Sequence, residues 1–327
     1  MSLQKSNILI TGGTGSFGSY FVNFLLKNYN FKKIIIYSRD ELKQYELKQK
    51  LINNKKFKSL RFFIGDIRDK DRLNFALRNV QYVIHAAALK IVDSAEYNPW
   101  EYIKTNVIGS QNLVEECINN NVKKLVALST DKACSPINLY GATKLCGDKN
   151  FLAANSFYGK STFSIVRYGN VNGSRGSVIP FFIKQSENGI FTITDKKMTR
   201  FSIDLEQSSK LVMWTLQNSF GNEIVIPKMK SYKILDLARA VNKECKIKFI
   251  GKRPGEKIHE EIISEFDDRC KILLDDKYLL INKKDLKKYR KLIKKYNGEI
   301  LNENFGFNSK DNDYLNMKEL KDIIKKS

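Results

Sequence analysis

Histidine and cysteine are scarce in this chain, and long apolar runs are missing. Only His85 and His259 are available as imidazole ligands or bases. The five cysteines (Cys117, Cys134, Cys146, Cys245, Cys270) are odd in number, widely spaced and without a CxxC pair, which argues against a zinc site or a disulfide framework and for scattered reduced thiols. No apolar stretch in the 327 residues is long enough for a signal peptide or a membrane span, so a cytoplasmic protein without membrane association is expected. Acidic residues are outnumbered, 35 against 57 lysines and arginines, giving a formal net charge of +22. Such an excess attracts anions. The lysines are spread along the chain and densest in "INKKDLKKYRKLIKKY", with no zinc finger, RNP signature or stacking-aromatic pattern beside them. A solvated basic surface, not a specific nucleic-acid site, is expected. Internal repeats are absent.

What is present is a repeated strand-and-helix grammar. "NILITGGTGSFGSYFVNFLLKN" reads as a buried strand, a glycine turn and an amphipathic helix, and "KKIIIYSRDELKQYELKQKL" repeats the pattern. "LRFFIGDIRD", "VQYVIHAAAL", "KKLVALSTD" and "STFSIVRYGNV" are further short apolar runs, separated by helical patterns. Continuous rather than alternating apolar strands between helices imply a parallel sheet covered on both faces. The fold class is therefore α/β, a doubly wound parallel Rossmann sheet with a smaller C-terminal substrate-binding domain. Residues 1–170 are expected to form the nucleotide-binding domain, with a segment at about 200–226 returning to it. Residues 171–327 then form the substrate-binding region and a tail.

In "TGGTGSFG", Gly12, Gly15 and Gly18 recur every three residues between the first strand and its helix. The first glycine permits the tight turn, the second lets backbone approach a pyrophosphate, and the third allows close helix–strand packing, with the helix N-terminus facing the phosphates. The second strand ends in Tyr37, Ser38 and Arg39, with Lys43 one turn into the next helix. A carboxylate at that tip would accept a ribose 2′-hydroxyl, whereas cations suit a 2′-phosphate, so NADP is the expected cofactor. Asp40 is equally suited to capping the helix, leaving Arg39 merely exposed. Asp66 is offered to the adenine amino group, or else serves as a turn residue or cap.

The stretch "LSTDKACSPINLYGATK" carries the chemistry. Tyr140 and Lys144 are four apart and share a face if the segment is helical; an ammonium beside the phenol, together with an oxidised nicotinamide, would lower the tyrosine pKa. Following Ser129 and Thr130 at a strand end, and a glycine-rich turn upstream, this combination resembles the extended short-chain dehydrogenase/reductase superfamily. Within it, "TDKACSPINLYGATKLC", "IIYSRDELKQ", "AEYNPWEYIKTN", "VRYGNVNGSRGSVIPFF", "MTRFSI" and "RPGEKIHE" resemble the inverting UDP-N-acetylglucosamine 4,6-dehydratases of pseudaminic acid synthesis, across about four-fifths of the chain.

That resemblance implies a catalytic set of Thr130, Asp131, Lys132, Tyr140 and Lys144. Tyr140 takes the proton of a sugar hydroxyl, Thr130 hydrogen-bonds the same hydroxyl, and Lys144 orients the nicotinamide ribose. Lys132 exchanges the C5 proton, and Asp131 assists departure of the C6 hydroxyl. Lys132 would be neutral for part of the cycle, its pKa depressed by Lys144 and the nicotinamide cation. Cofactor contacts are implied for Gly12, Thr14, Gly15, Ser16, Phe17, Gly18, Ser38, Arg39, Lys43, Asp66, Ile67, Ala86 and Lys90, besides Tyr140 and Lys144. Substrate contacts are implied for Lys90, Asn170, Arg200, Arg253 and Glu256, the arginines on the UDP phosphates. A homo-oligomer, up to a hexamer, is also implied.

The chain departs from the family pattern at Ile91 and Asp93, where histidine and proline are usual, and at Asn172 and Tyr314. Three other functions remain open: a UDP-sugar 4-epimerase, which has no use for Asp131 and Lys132; a 4,6-dehydratase/5-epimerase of N-acetyl-L-fucosamine synthesis; and an NADP-binding regulator without catalysis.

Overall fold

The structure, a computed structural model, describes residues 3–156 and 160–327. Six parallel strands form its centre: β1 (Asn7–Thr11), β2 (Lys33–Ser38), β3 (Leu60–Ile64), β4 (Tyr82–His85), β5 (Lys124–Thr130) and β6 (Thr162–Tyr168). They lie in the order β3-β2-β1-β4-β5-β6. The order reverses between β1 and β4, the place where such sheets open a crevice beyond the carboxyl ends of the strands. β1, β2 and β4 are buried on both faces, which is why each reads as an unbroken apolar run. Helix α1 (Ser16–Asn28) follows β1, α2 (Glu41–Leu51) follows β2 and α3 (Lys70–Leu77) follows β3.

The parallel order expected from the sequence holds for these strands, but the sheet continues beyond them. Ile224–Pro227 adds parallel to β6; Lys277–Ile281, Cys270–Leu274 and Glu299–Ile300 then extend that edge antiparallel. The chain thus crosses back into the sheet after residue 226, in the stretch assigned from sequence to the substrate region and tail. The anchor of this addition is buried: Glu223 accepts hydrogen bonds from the hydroxyls of Ser164 on β6 and Tyr289 on the helix Leu286–Lys295.

A second, smaller core lies over the strand ends. Ile179, Phe182, Phe191, Tyr232, Leu237 and Leu320 form it, drawn from the helices Val178–Ser186, Ile234–Val241 and Met317–Lys325 and from short strands between them. The crevice lies between this lobe and the sheet. The five cysteines are free thiols, and among the described residues no helix is long and apolar enough to cross a membrane.

The helix Leu139–Ala154 is locked to the sheet by one charged triad. Asp148 accepts from the Ser129 hydroxyl at 2.7 Å and from the Arg167 guanidinium at 3.1 Å, with both charged side chains buried. Removing one member of a buried pair strands the other. Asp148→Ala is therefore expected to lower unfolding stability by about 3–5 kcal/mol, measured by urea denaturation as a shift of midpoint at unchanged slope.

Candidate active site

The glycine turn is built by close approach. Gly12 has φ +66°, and a Cβ there would lie 2.8 Å from the Ala87 nitrogen; at Gly18 a Cβ would lie 2.4 Å from the Gly12 carbonyl oxygen. The chain can therefore fold back on itself only without side chains at these two positions. Gly15 caps α1 without a side-chain hydrogen bond, so the helix N-terminus faces the crevice with free N–H groups. These features fit a dinucleotide phosphate. Gly12, Gly15, Ser16, Phe17, Gly18, Ala86 and Lys90 line one end of a cavity of about 830 Å³.

The expected adenosine contacts lie outside this cavity wall. Thr14 and Ser38 are buried and hydrogen-bonded to each other at 2.7 Å. Asp40 caps α2, accepting from the Lys43 backbone N–H and the Lys43 ammonium, so the tip takes the capping alternative: the carboxylate is turned into the helix and Arg39 is exposed. Asp66 makes a turn, accepting from the Arg68 backbone N–H and guanidinium, with Arg39 at 3.6 Å. Although burial opposes it, Arg68 holds the Asp66 carboxyl below its ordinary pKa. Ile67 is buried among core residues, its side chain filling the space beside Gly109.

At the other end, Leu139–Ala154 is helical, capped by Asn138, whose side chain accepts from the Gly141 N–H. Tyr140 and Lys144 thus share a face and both line the cavity. Gly141 matters as much: a Cβ on it would stand 2.2 Å from the Lys132 carbonyl oxygen, so the helix presses directly on the loop that follows β5. This contact sets Tyr140 beside Thr130 and Lys132, which line the cavity with it.

Asp131 is fully buried and is not part of the cavity wall. One carboxylate oxygen accepts from Thr130 and from the Lys132 ammonium, each at 3.0 Å, and the other has no partner. Lys132 also meets the Glu260 carboxylate at 3.3 Å, and that same oxygen lies 3.6 Å from the Arg200 guanidinium. Glu260, a residue not expected from the sequence, lines the cavity.

Two electrostatic expectations are corrected here. Burial opposes the charge on Lys132, but Asp131 and Glu260 outweigh it, so the Lys132 pKa is raised, not depressed. Burial pushes the Tyr140 phenol up to about 12, with Lys132 and Thr130 pulling it back down. Lys144 donates instead to the Leu128 carbonyl at 2.8 Å, and its own pKa is lowered by burial despite the nearby Asp148.

The expected substrate contacts divide. Asn170 lines the cavity, and its buried side-chain carbonyl oxygen has no partner. Lys90 donates to the Arg175 carbonyl at 2.9 Å. Arg253 is held by Glu256 at 2.6 Å and by Asp93 at 3.4 Å, so one of the chain's departures from the family pattern contacts the expected phosphate ligand. Arg200 is buried and donates to the Thr199 and Ile258 carbonyls. Arg175, also missed from sequence, donates to the Thr14 carbonyl at 2.8 Å and to the Ser16 hydroxyl, fastening the smaller lobe to the glycine turn.

This geometry agrees with known proteins: residues 8–282 match the family described as polysaccharide biosynthesis protein. The chain belongs to this family. It is 49% identical over 329 residues, 97% of each chain, to a UDP-N-acetylglucosamine 4,6-dehydratase (inverting) of Campylobacter jejuni subsp. jejuni serotype O:23/36 (strain 81-176). It is 42% identical over 270 residues, 80% of this chain and 78% of the other, to a UDP-glucose 4-epimerase of Rickettsia akari (strain Hartford). Pen from Bacillus thuringiensis has a solved structure that matches with a TM-score of 0.91 at 34% identity, covering 100% of this chain and 99% of that one. The resemblance read from the sequence and the Rossmann fold are both borne out by these family members.

Because Gly141 has no room for a side chain, Gly141→Ala is expected to cost about 1–3 kcal/mol of stability. Displacing Tyr140 by even 1 Å should lower kcat by about 10²-fold. Thermal unfolding and steady-state kinetics on the same preparation check the two effects.

Proposed function

We propose that the protein is an NADP-dependent UDP-N-acetylglucosamine 4,6-dehydratase that inverts C5, producing UDP-2-acetamido-2,6-dideoxy-β-L-arabino-hex-4-ulose as the first step of pseudaminic acid synthesis. The observation that carries this reading is the buried Asp131–Lys132 pair beside Tyr140 and Thr130. Oxidation at C4 alone needs a phenol and its helpers. A second acid/base group along the sugar has work only if C5 and C6 also react.

In this reading Tyr140 takes the C4 hydroxyl proton while Thr130 holds that oxygen. Lys132 exchanges the C5 proton, and Asp131, whose carboxyl is pushed up by burial and by Glu260, is the acid for the departing C6 hydroxyl. A dinucleotide held there would supply hydride acceptance at C4 and hydride return at C6. Gly12, Gly15, Gly18 and the α1 N-terminus hold its pyrophosphate, Lys144 its ribose, and Arg39 and Lys43 the 2′-phosphate. The cap role of Asp40 supports NADP over NAD, because it leaves no carboxylate turned towards a ribose 2′-hydroxyl. Asn170, Arg200, Arg253 and Glu256 hold UDP-N-acetylglucosamine, with Lys90 between cofactor and sugar.

A cytoplasmic homo-oligomer, up to a hexamer, is part of the same reading; the exposed Tyr97, Trp100 and Ile108 on one stretch of chain support an interface there. A UDP-sugar 4-epimerase is the second reading, favoured by the likeness to the Rickettsia protein and opposed by the buried pair.

An NMR time course with UDP-N-acetylglucosamine in deuterated water, with no added cofactor, tests the proposal. A new C6 methyl signal, deuterium at C5 and L-arabino couplings are expected; D-xylo couplings would mean retention, and a C4 epimer as sole product would establish the epimerase. Lys132→Ala should keep its bound cofactor and lose turnover by about 10²-fold or more; undiminished turnover would remove Lys132 from the mechanism.

A further inference from the structure

Asp131 is the carboxylate that the sequence places next to Lys132, yet it stands behind the cavity wall. The carboxylate in the wall is Glu260. It is 2% exposed, and one of its oxygens holds both the Lys132 ammonium and the Arg200 guanidinium. The other is buried without a partner, an arrangement that costs energy unless a ligand or a proton satisfies it. The backbone of Glu260 is fixed on both sides by one residue: its N–H donates to the Ser309 hydroxyl at 2.9 Å, and its carbonyl accepts from the Ser309 N–H at 2.7 Å. Ser309 is itself fixed by Thr199 at 2.7 Å. This is a rigid mount for a carboxylate, set at hydrogen-bonding distance from the group assigned to C5.

We propose that Glu260 is a further catalytic residue, the base that accepts the C5 proton and returns it through Lys132. The inference rests on the dehydratase reading and deepens it. In the ground state Lys132 is an ammonium and Glu260 a carboxylate. When the C4 ketone has acidified C5, the C5–H bond breaks, its electron pair forms the C5–C6 double bond as the C6 hydroxyl leaves, and its proton binds the free Glu260 oxygen. Once C6 has been reduced, the enolate electron pair at C5 takes a proton from the Lys132 ammonium on the face opposite the one that Glu260 deprotonated, which inverts C5. The amine so formed recovers a proton from the Glu260 carboxyl, 3.3 Å away. Both groups end as they began. The C6 hydroxyl draws its proton from Asp131 by way of the Thr130 hydroxyl, which contacts Asp131 at 3.0 Å and lines the cavity beside the phenol that took the C4 hydroxyl proton and that returns it to Asp131. The two proton circuits therefore close separately.

Glu260→Gln preserves shape and removes the basic site. The variant is expected to melt somewhat lower, because Lys132 and Arg200 lose a buried charged partner, but to remain folded and keep the cofactor carried through purification. Mixing with substrate should still give the transient absorbance at 340 nm that reports C4 oxidation, with KM within about threefold. Deuterium entry at C5 and formation of the C6 methyl group should fall by about 10²-fold or more. Loss of the carboxylate also lowers the Lys132 pKa, so any residual turnover should fail at a lower pH on the alkaline side. Glu260→Asp, which retains a base on a shorter arm, should recover part of the rate.

Unchanged turnover with an unchanged pH profile in Glu260→Gln would overturn the proposal. So would joint loss of cofactor, melting temperature and the 340 nm transient in both variants, which would make Glu260 structural. If the unmodified protein gave neither the transient nor a methyl product, the dehydratase reading itself would fall, an outcome read from the parent chain before any variant.

Discussion

A buried ammonium between two carboxylates is the constraint on which this site depends. Lys132 can be taken out of water only because Asp131 and Glu260 each accept from it. Arg200 then balances the second carboxylate. Glu260, Lys132 and Arg200 thus hold one another, and Asp131 accepts from the same ammonium. The elements that carry them are far apart in sequence: the loop after β5, a strand of the smaller lobe and the segment entering the final part of the chain. The electrostatics of the site and the docking of the lobe onto the sheet are one interaction seen at two scales.

The same cluster explains how a single fold can run chemistry at three neighbouring sugar carbons. The phenol and the lysine four residues later sit on a helix whose position is set by the missing side chain of Gly141. The triad of Ser129, Asp148 and Arg167 holds that helix to β5 and β6. Asp131 and Lys132 lie on the loop that the helix presses against, and Glu260 reaches them from a distant segment. Rigid packing fixes the distance between the two groups, and the charge cluster fixes their protonation.

Much of this was legible in the sequence, for identifiable reasons. Strands buried on both faces leave unbroken apolar runs, and the turn at Gly12–Gly18 leaves glycines where backbone must touch backbone. Other parts were not. The antiparallel edge at 270–281 depends on Glu223, Ser164 and Tyr289 meeting in the interior, and local composition carries no sign of that. Glu260 lies in "RPGEKIHEE", where one glutamate looks like the next; only the fold buries Glu260 while leaving Glu256 to face an arginine. The direction of the Lys132 pKa was misread for the same cause, since its second partner lies on a distant segment. Alternation offered one clue: Glu260 leads into the buried Ile262 and Ile263, so the run enters the core there.

Ser309 grips the backbone of Glu260 from both sides, and its strand neighbour Phe307 lies in the main core. The charge cluster is therefore incomplete until the last part of the chain has emerged and docked. Domains fold during synthesis from the N-terminus onward, so the glycine turn and the strands beside it can form well before Glu260 is in register with Lys132. Translation stopped short of Ser309 leaves Glu260 without the residue that fixes its backbone on both sides.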